Sequence, residues 1–326
     1  MSNPLLRIGQ GFCGTVWAAD HHADFNYDGV DVALKREDGA PGRCLKIEWE
    51  HLQLINSTSR QYHTLLSQIS IPQSVSYLLV SDSAWPDVIP RLPAGYESCN
   101  AMLSERIQPI GQHGRRVLTK AFCPAKIASD MMDNPKNKAC LARCYLGKRK
   151  QSDRECKFFS LRNFPLYLDY AEALDLPVEG YAVAMARALA FFHWACGIDG
   201  NDIEFVLGAA RRDSDEDEVI ESEKLGPYRL WVLDFDCCRA LDFSSDERLV
   251  DRIVHSFWRN DPYYPRPGKE RESDQRLWKL FSEEYVNSSI GVITRRFEGE
   301  NERARLLRIA RSIVPRLEEG RDITLR

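Results

Sequence analysis

A chain of 326 residues with 44 % hydrophobic and 28 % charged side chains can bury a sizeable core, as one large domain or as two lobes. Its composition is that of an ordinary globular protein, and no apolar run approaches the roughly 18 residues a membrane span requires. The net charge of −4 hides strong segregation: Arg115 to Arg162 holds thirteen basic and four acidic residues, a local +9 that leaves −13 for the remainder.

In chain order, Met1 to Gly11 contains no apolar core of signal-peptide length and leads straight into a predicted strand at Leu5-Leu6-Arg7-Ile8. Gly9-Gln10-Gly11-Phe12-Cys13-Gly14 then reads as a glycine-rich turn into a second strand at Thr15-Val16. Glycines let a backbone approach phosphate groups closely. A strand rather than a helix follows, which argues against a dinucleotide-binding fingerprint. Asp31-Val32-Ala33-Leu34-Lys35 predicts a short apolar strand ending in lysine, and Cys44 to Ile55 predicts a helix carrying Glu48 and Glu50. Ala101 to Ile107 predicts a further strand, with a boundary between two lobes near Gln108 to Gly114, so that residues 1–110 and 111–326 form the two units.

The basic insertion, residues 115–163, comes next, with Phe122, Tyr145, Phe158 and Phe159 interleaved among its cations. A polyanion is a natural partner for such a surface, because each phosphate neutralised releases counterions; a solvated face is the alternative. Near Pro177 a helix is expected, with Ala182, Met185, Ala186, Leu189, Phe192 and His193 forming its core stripe, so His193 reads as a packed residue. Asp202 and Glu204 precede a strand at Phe205 to Gly208. Its hairpin partner, Tyr228 to Leu233, delivers Asp234-Phe235-Asp236, and strand alternation places the two aspartates on one face. The hairpin loop, Asp213 to Glu223, carries seven carboxylates and no base, and reads as a solvated loop. Asn260 to Pro267 is an ordered loop by virtue of its three prolines. Leu277 to Tyr285 and Glu302 to Glu318 are expected helices. The ten cysteines lack any Cys-x-x-Cys pair. Cys140 and Cys144, with Cys156 and His193 as distant partners, are too widely spaced for a usual zinc site, so buried thiols in a reducing, cytoplasmic setting and no bound metal are expected.

Glycine turn, Val-Ala-x-Lys strand and glutamate helix together resemble the small lobe of protein kinases. The resemblance implies an α+β, two-lobed protein-kinase-like fold, with an antiparallel sheet in the small lobe and a mainly helical large lobe. It implies phosphate contacts at Gly9, Gly11 and Gly14, and an ion pair between Lys35 and a helix glutamate: Glu50, because Leu54 four residues on suits the packed face, with Glu48 as the alternative. Asp202 stands where the catalytic aspartate is found, and Asp234 where the metal-binding one is. Departures are clear: Gly200-Asn201-Asp202 replaces His-Arg-Asp, Leu207 replaces the asparagine five residues on, Asp236 replaces a glycine, and no Ala-Pro-Glu segment follows. Those changes put ordinary phosphoryl transfer in doubt.

A narrower resemblance rests on Cys140 to Arg149, Asp202 to Gly208, Leu233 to Asp236 and Asn260 to Pro267, and covers roughly Leu141 to Tyr285. These blocks resemble a fungal family that carries an ill-fitting zinc finger label, and the chain design resembles fungal arginine-containing cyclodipeptide synthases. That likeness implies condensation of arginine with a second amino acid, both brought as aminoacyl-tRNA including arginyl-tRNA, into a diketopiperazine. An aminoacyl ester is already activated, so no cofactor is expected. The resemblance makes Asp202, Asp234 and Lys35 catalytic and Glu204, Asp236 and Glu50 substrate-binding. It puts tRNA on Arg143, Lys148, Arg149 and Lys150. No covalent nucleophile is identified, and neither a membrane nor a stable protein partner is expected. Two other functions compete: a small-molecule or protein kinase using ATP and magnesium, and a pseudokinase acting as a binding module.

Overall fold

The computed structural model describes residues 3–20, 24–42, 44–132, 134–150, 159–211 and 219–320. Asp133, Asp153, Glu155, Cys156, Phe158 and the acidic residues 213–218 lie outside the described residues.

Two strands, β1 (Leu6–Gln10) and β2 (Thr15–Ala18), form an antiparallel hairpin around the glycine turn. Then come β3 (Asn26–Tyr27), β4 (Val30–Arg36), α1 (Leu45–Ser59), β5 (Ile69–Ser70), β6 (Ser74–Leu78), α2 (Trp85–Val88) and β7 (Ala101–Glu105). The order β1-β2-β4-β7-β6, with β3 attached to β4, makes an antiparallel sheet. Alternation along β4 decides its two faces. Val32 and Leu34 join Trp17, Leu78, Trp85 and Leu103 in a cluster on one side. Arg36 lies buried on that side too, its guanidinium 5.2 Å from the Trp85 ring and 5.3 Å from Tyr96. Lys35 is thereby directed to the other face, where α1 packs.

Past β7 the chain forms α3 (Gln112–Phe122), α4 (Ala128–Met132), β8 (Ala142–Tyr145), β9 (Phe164–Tyr167), α5 (Leu168–Ala173) and α6 (Val178–Phe191). A π-helical turn, Phe192–Cys196, extends α6 and ends at Gly197 in the left-handed region, φ 72°. The hairpin β10 (Glu204–Gly208) and β11 (Arg229–Leu233) follows, then α7 (Asp246–Arg259), α8 (Glu272–Arg296) and α9 (Glu300–Glu318). A second sheet has the order β5-β11-β10-β8-β9. Its β10 is antiparallel to β11 and β8, while β5 and β9 are parallel to their neighbours. The fold is thus mixed α+β, with an antiparallel sheet and packed helices.

The larger core surrounds α6, which is buried from Tyr181 to Phe191 except at Val183 and Arg187. Its five alanines are all buried, α8 packs against it, and Tyr181 shares a short hydrogen bond with Tyr228, the residue before β11. The centre of the basic stretch is part of this core rather than a surface flap. Strand β8 sits between β10 and β9, and Ala142 and Cys144 are fully buried. Burial raises the thiol of Cys140 to about 12 and lifts that of Cys144 further. These are packing thiols, as the sequence implied. Residues 260–267 form an ordered loop: Tyr264 stacks on Phe257 at 5.3 Å and packs against Phe281 at 5.5 Å. Among the described residues no helix is long and apolar enough to cross a membrane.

Candidate active site

Lys35 is the centre of the site. Its ammonium donates to Glu48 Oε2 and to Asp234 Oδ1, each at 2.7 Å. Burial alone would lower its pKa, but the attraction of Asp234 and Glu48 outweighs that and holds it well above the ordinary lysine value. The glutamate is therefore Glu48 and not Glu50. On α1 the inward positions are Leu45, Glu48, Leu52 and Ile55, spaced by three and four. Glu50 falls on the outer face, 3.9 Å from Lys46, and Leu54 is 40 % exposed. An exposed leucine had set the wrong helical phase.

The Asp234 turn is shaped by its backbone. Strand β11 ends at Leu233, and Asp234 takes φ 70°. Asp234 and Asp236 consequently leave the strand through a turn, and alternation does not govern them. Asp234 reaches Lys35. The buried Asp236 accepts a hydrogen bond at 2.9 Å from Cys13 Sγ in the glycine turn. His51 of α1 stands 3.1 Å, through Nδ1, from the Phe235 carbonyl and ties the helix to the same turn.

Glu204 opens β10 directly across from Leu233, the residue before Asp234. Its carboxylate is paired with Arg143 at 2.8 Å. Desolvation raises Glu204 to about 7 against the pull of Arg143. It raises Glu48 to about 7 likewise, against the pull of Lys35. Asp202 is exposed in the left-handed region, φ 64°, beside the turn of Asp236 and Cys237. One buried acid escaped the sequence reading. Asp199 Oδ1 accepts from the backbone N–H of Asn201 (3.1 Å) and of Arg239 (2.9 Å), stapling the Asp202 loop to the segment after Asp236.

The glycine turn is held by its own contacts. Gly14 has φ 145°, and a Cβ there would come within 2.2 Å of the Arg36 carbonyl oxygen, so only glycine fits. Thr15 donates its N–H to Asp38 at 2.8 Å, while Gly39 and Ala40 donate to the Cys13 and Phe12 carbonyls. Gly9 lies at a register shift of the β1–β2 ladder, and Gly11 is open to its surroundings. Of the expected polyanion contacts, Arg143 is spent on Glu204. Arg149 is held by Glu172 and Asp274, both at 2.5 Å. Lys148 and Lys150 are exposed, the latter 5.6 Å over the Tyr170 ring. His193 is buried, 2.8 Å from the Tyr285 hydroxyl, and burial lowers it to about 3.

Among the described residues, one group has the spacing of metal ligands: Asp202, Asp236 and Cys237, with their ligand atoms within 4.8 Å of one another. A structural zinc finger needs four thiolate or imidazole ligands. This trio offers one thiol and no imidazole. The neighbouring Cys238 is buried and donates to the Asn201 carbonyl at 3.6 Å. A family described as “Zinc finger protein” matches residues 230–296, about a fifth of the chain, from β11 through α8. The label does not fit the residues described in that segment. No curated protein matches the chain.

Proposed function

We propose that the chain is a tRNA-dependent, arginine-containing cyclodipeptide synthase built on a two-lobed, protein-kinase-like fold, with the lobes joined near residue 110. The supporting observation is the charge of the cleft. Glu48, Asp202, Glu204, Asp234 and Asp236 gather around two cations, Lys35 and Arg143, for a formal charge of −3. A cleft of that sign favours a guanidinium and an α-ammonium, and opposes a triphosphate. Carboxylates are also the groups that recognise a guanidinium by paired hydrogen bonds.

In this reading one aminoacyl ester is attacked by the α-amine of the other. The ester C–O bond breaks, the first tRNA leaves as its 3′ hydroxyl, and the proton that completes that hydroxyl is the one shed by the amine, relayed through a carboxylate. Glu204, raised to about 7, is suited to take it near neutral pH. Lys35 faces the negative charge that develops on the ester oxygen. The second amine then closes the ring in the same way and releases the second tRNA. Neither step consumes a nucleotide. The test is expression in a bacterial host with mass spectrometry of the medium. A new arginine-containing diketopiperazine is expected, and it should vanish in Asp234→Asn while the far-ultraviolet spectrum stays unchanged. No product from the folded wild type would reject the reading.

One observation favours a second reading. The Lys35–Glu48 pair beside Asp234 is the arrangement that kinases use on ATP with magnesium. Transfer of labelled γ-phosphate to a small molecule or protein, without diketopiperazine, would select that alternative.

A further inference from the structure

Beyond the cleft, at the far end of β8, the chain builds a groove of about 590 Å³. One wall carries Lys148, Arg149 and Lys150; the other carries Arg266, Lys269 and Arg271, more than a hundred residues later in sequence. Against these six cations the described lining has two carboxylates, Glu270 and Asp274, and Glu172 and Asp261 pair with Arg149 and Arg266 from beside it, for a formal charge of +2. The walls are fixed to one another. Leu146 and Gly147 donate their N–H groups to the Tyr263 and Pro262 carbonyls at 3.0 and 2.9 Å. Gly147 has no room for a side chain, since a Cβ would meet the Tyr264 oxygen at 2.3 Å. Arg149 is neutralised by Glu172 and Asp274 and serves as the tie, and the buried Arg266 donates to the Phe257 carbonyl at 2.8 Å. Lys148, Lys269 and Arg271 are exposed on the two rims, with Lys150 exposed beside Lys148.

We infer that this groove binds the phosphate backbone of an RNA strand whose aminoacyl end lies in the acidic cleft; the inference rests on the function proposed above and assigns that substrate a second contact. Cleft and groove have opposite sign, −3 against +2, and are joined by a single strand. From Arg143 in the cleft to Lys148 in the groove is five residues, no more than about 17 Å of extended chain. A ligand that satisfies both ends is cationic at its reacting tip and anionic along its length. Aminoacyl-tRNA has that polarity. At about 590 Å³ the groove has room for more than one phosphate group. A partly exposed tyrosine stands beside one rim: Lys150 lies over Tyr170, itself stacked on Phe122 at 3.9 Å. Basic side chains beside aromatic faces are the usual means of holding a single strand.

The test uses the full chain and fluorescein-labelled bulk tRNA, with anisotropy read over a salt series. Lys269→Glu with Arg271→Glu, both exposed, should keep the thermal melt and weaken binding at least about tenfold. The slope of log K against log salt should fall by about 1.5, for two lost phosphate contacts. Asp234→Asn should bind tRNA as the wild type does while making no product. Unchanged affinity and slope in the double variant would overturn the groove and leave the proposed reaction standing. A wild type that fails to bind tRNA at about 0.1 M salt would overturn both. Displacement of the tRNA by pyrophosphate at equal phosphate concentration would overturn the strand and point to a small phosphate ligand.

Discussion

Lys35 shows how far one side chain can organise a site. Two carboxylates from opposite ends of the chain close on one ammonium, and both the helix and the Asp234 turn are located by it. The arrangement has a pH signature. Glu48 and Glu204 are raised to about 7 by burial, so the folded state holds protons that the unfolded chain releases near 4.5. Their contribution to stability is therefore complete below pH 4.5 and is lost as pH rises through 7. His193 runs the other way. Lowered to about 3, it favours the fold above 6.5 and withdraws that support as pH falls toward 3. Comparing urea midpoints of wild type and Glu48→Gln at pH 5 and pH 8 cancels the histidine. The drop on going to pH 8 should be smaller in the variant, and an equal drop would show Glu48 to titrate normally. At this scale the sequence was partly legible. Lys35 and Asp234 could be nominated because strand, turn and motif surround them. Glu48 was passed over for Glu50 because a leucine at position 54 mimicked a packed face. Asp199 was missed because its partners are backbone N–H groups, which no side-chain pattern announces.

Among the elements, those with strong periodicity were easiest to foresee: β4, α6, the β10–β11 hairpin and α9 fall where they were expected, α1 falls there with its inward face shifted, and α8 runs well beyond the expected 277–285. Strand β8 was not foreseen. Four residues, Ala142–Tyr145, are too few to show alternation inside a segment dominated by lysine and arginine, and only pairing with β10 and β9 makes them a strand. Its exit is the tightest point of the second sheet. Gly147→Ala should force the 260–267 loop outward and cost about 1–3 kcal/mol, read as a lower denaturant midpoint at unchanged slope. An unaffected midpoint would show that the loop yields without penalty. The same substitution should open the groove, because Leu146 and Gly147 are the residues bonded across its base.

On the scale of the whole molecule, the field is bipolar. Composition reported the segregation of charge but not its geometry: the +9 of the basic segment is partly cancelled by Glu172, Glu204 and Asp274 from outside it, and partly reinforced by Lys269 and Arg271. Neither cancellation nor reinforcement can be read before the second sheet and the α8 start are assembled. The first sheet and the turn after β11 are bridged at two places, by Lys35 to Asp234 and by Cys13 to Asp236. The second bridge gives the protein a built-in gauge. Cys13 is 4 % exposed, and burial with the adjoining carboxylate holds its thiol well above the ordinary range, so it should resist alkylation while the glycine turn is down. Iodoacetamide labelling followed by peptide mass mapping should find Cys44, which is exposed, modified at once and Cys13 only slowly. The rate at Cys13 would then report how often the glycine turn leaves Asp236, and a ligand lying across that contact should slow it further.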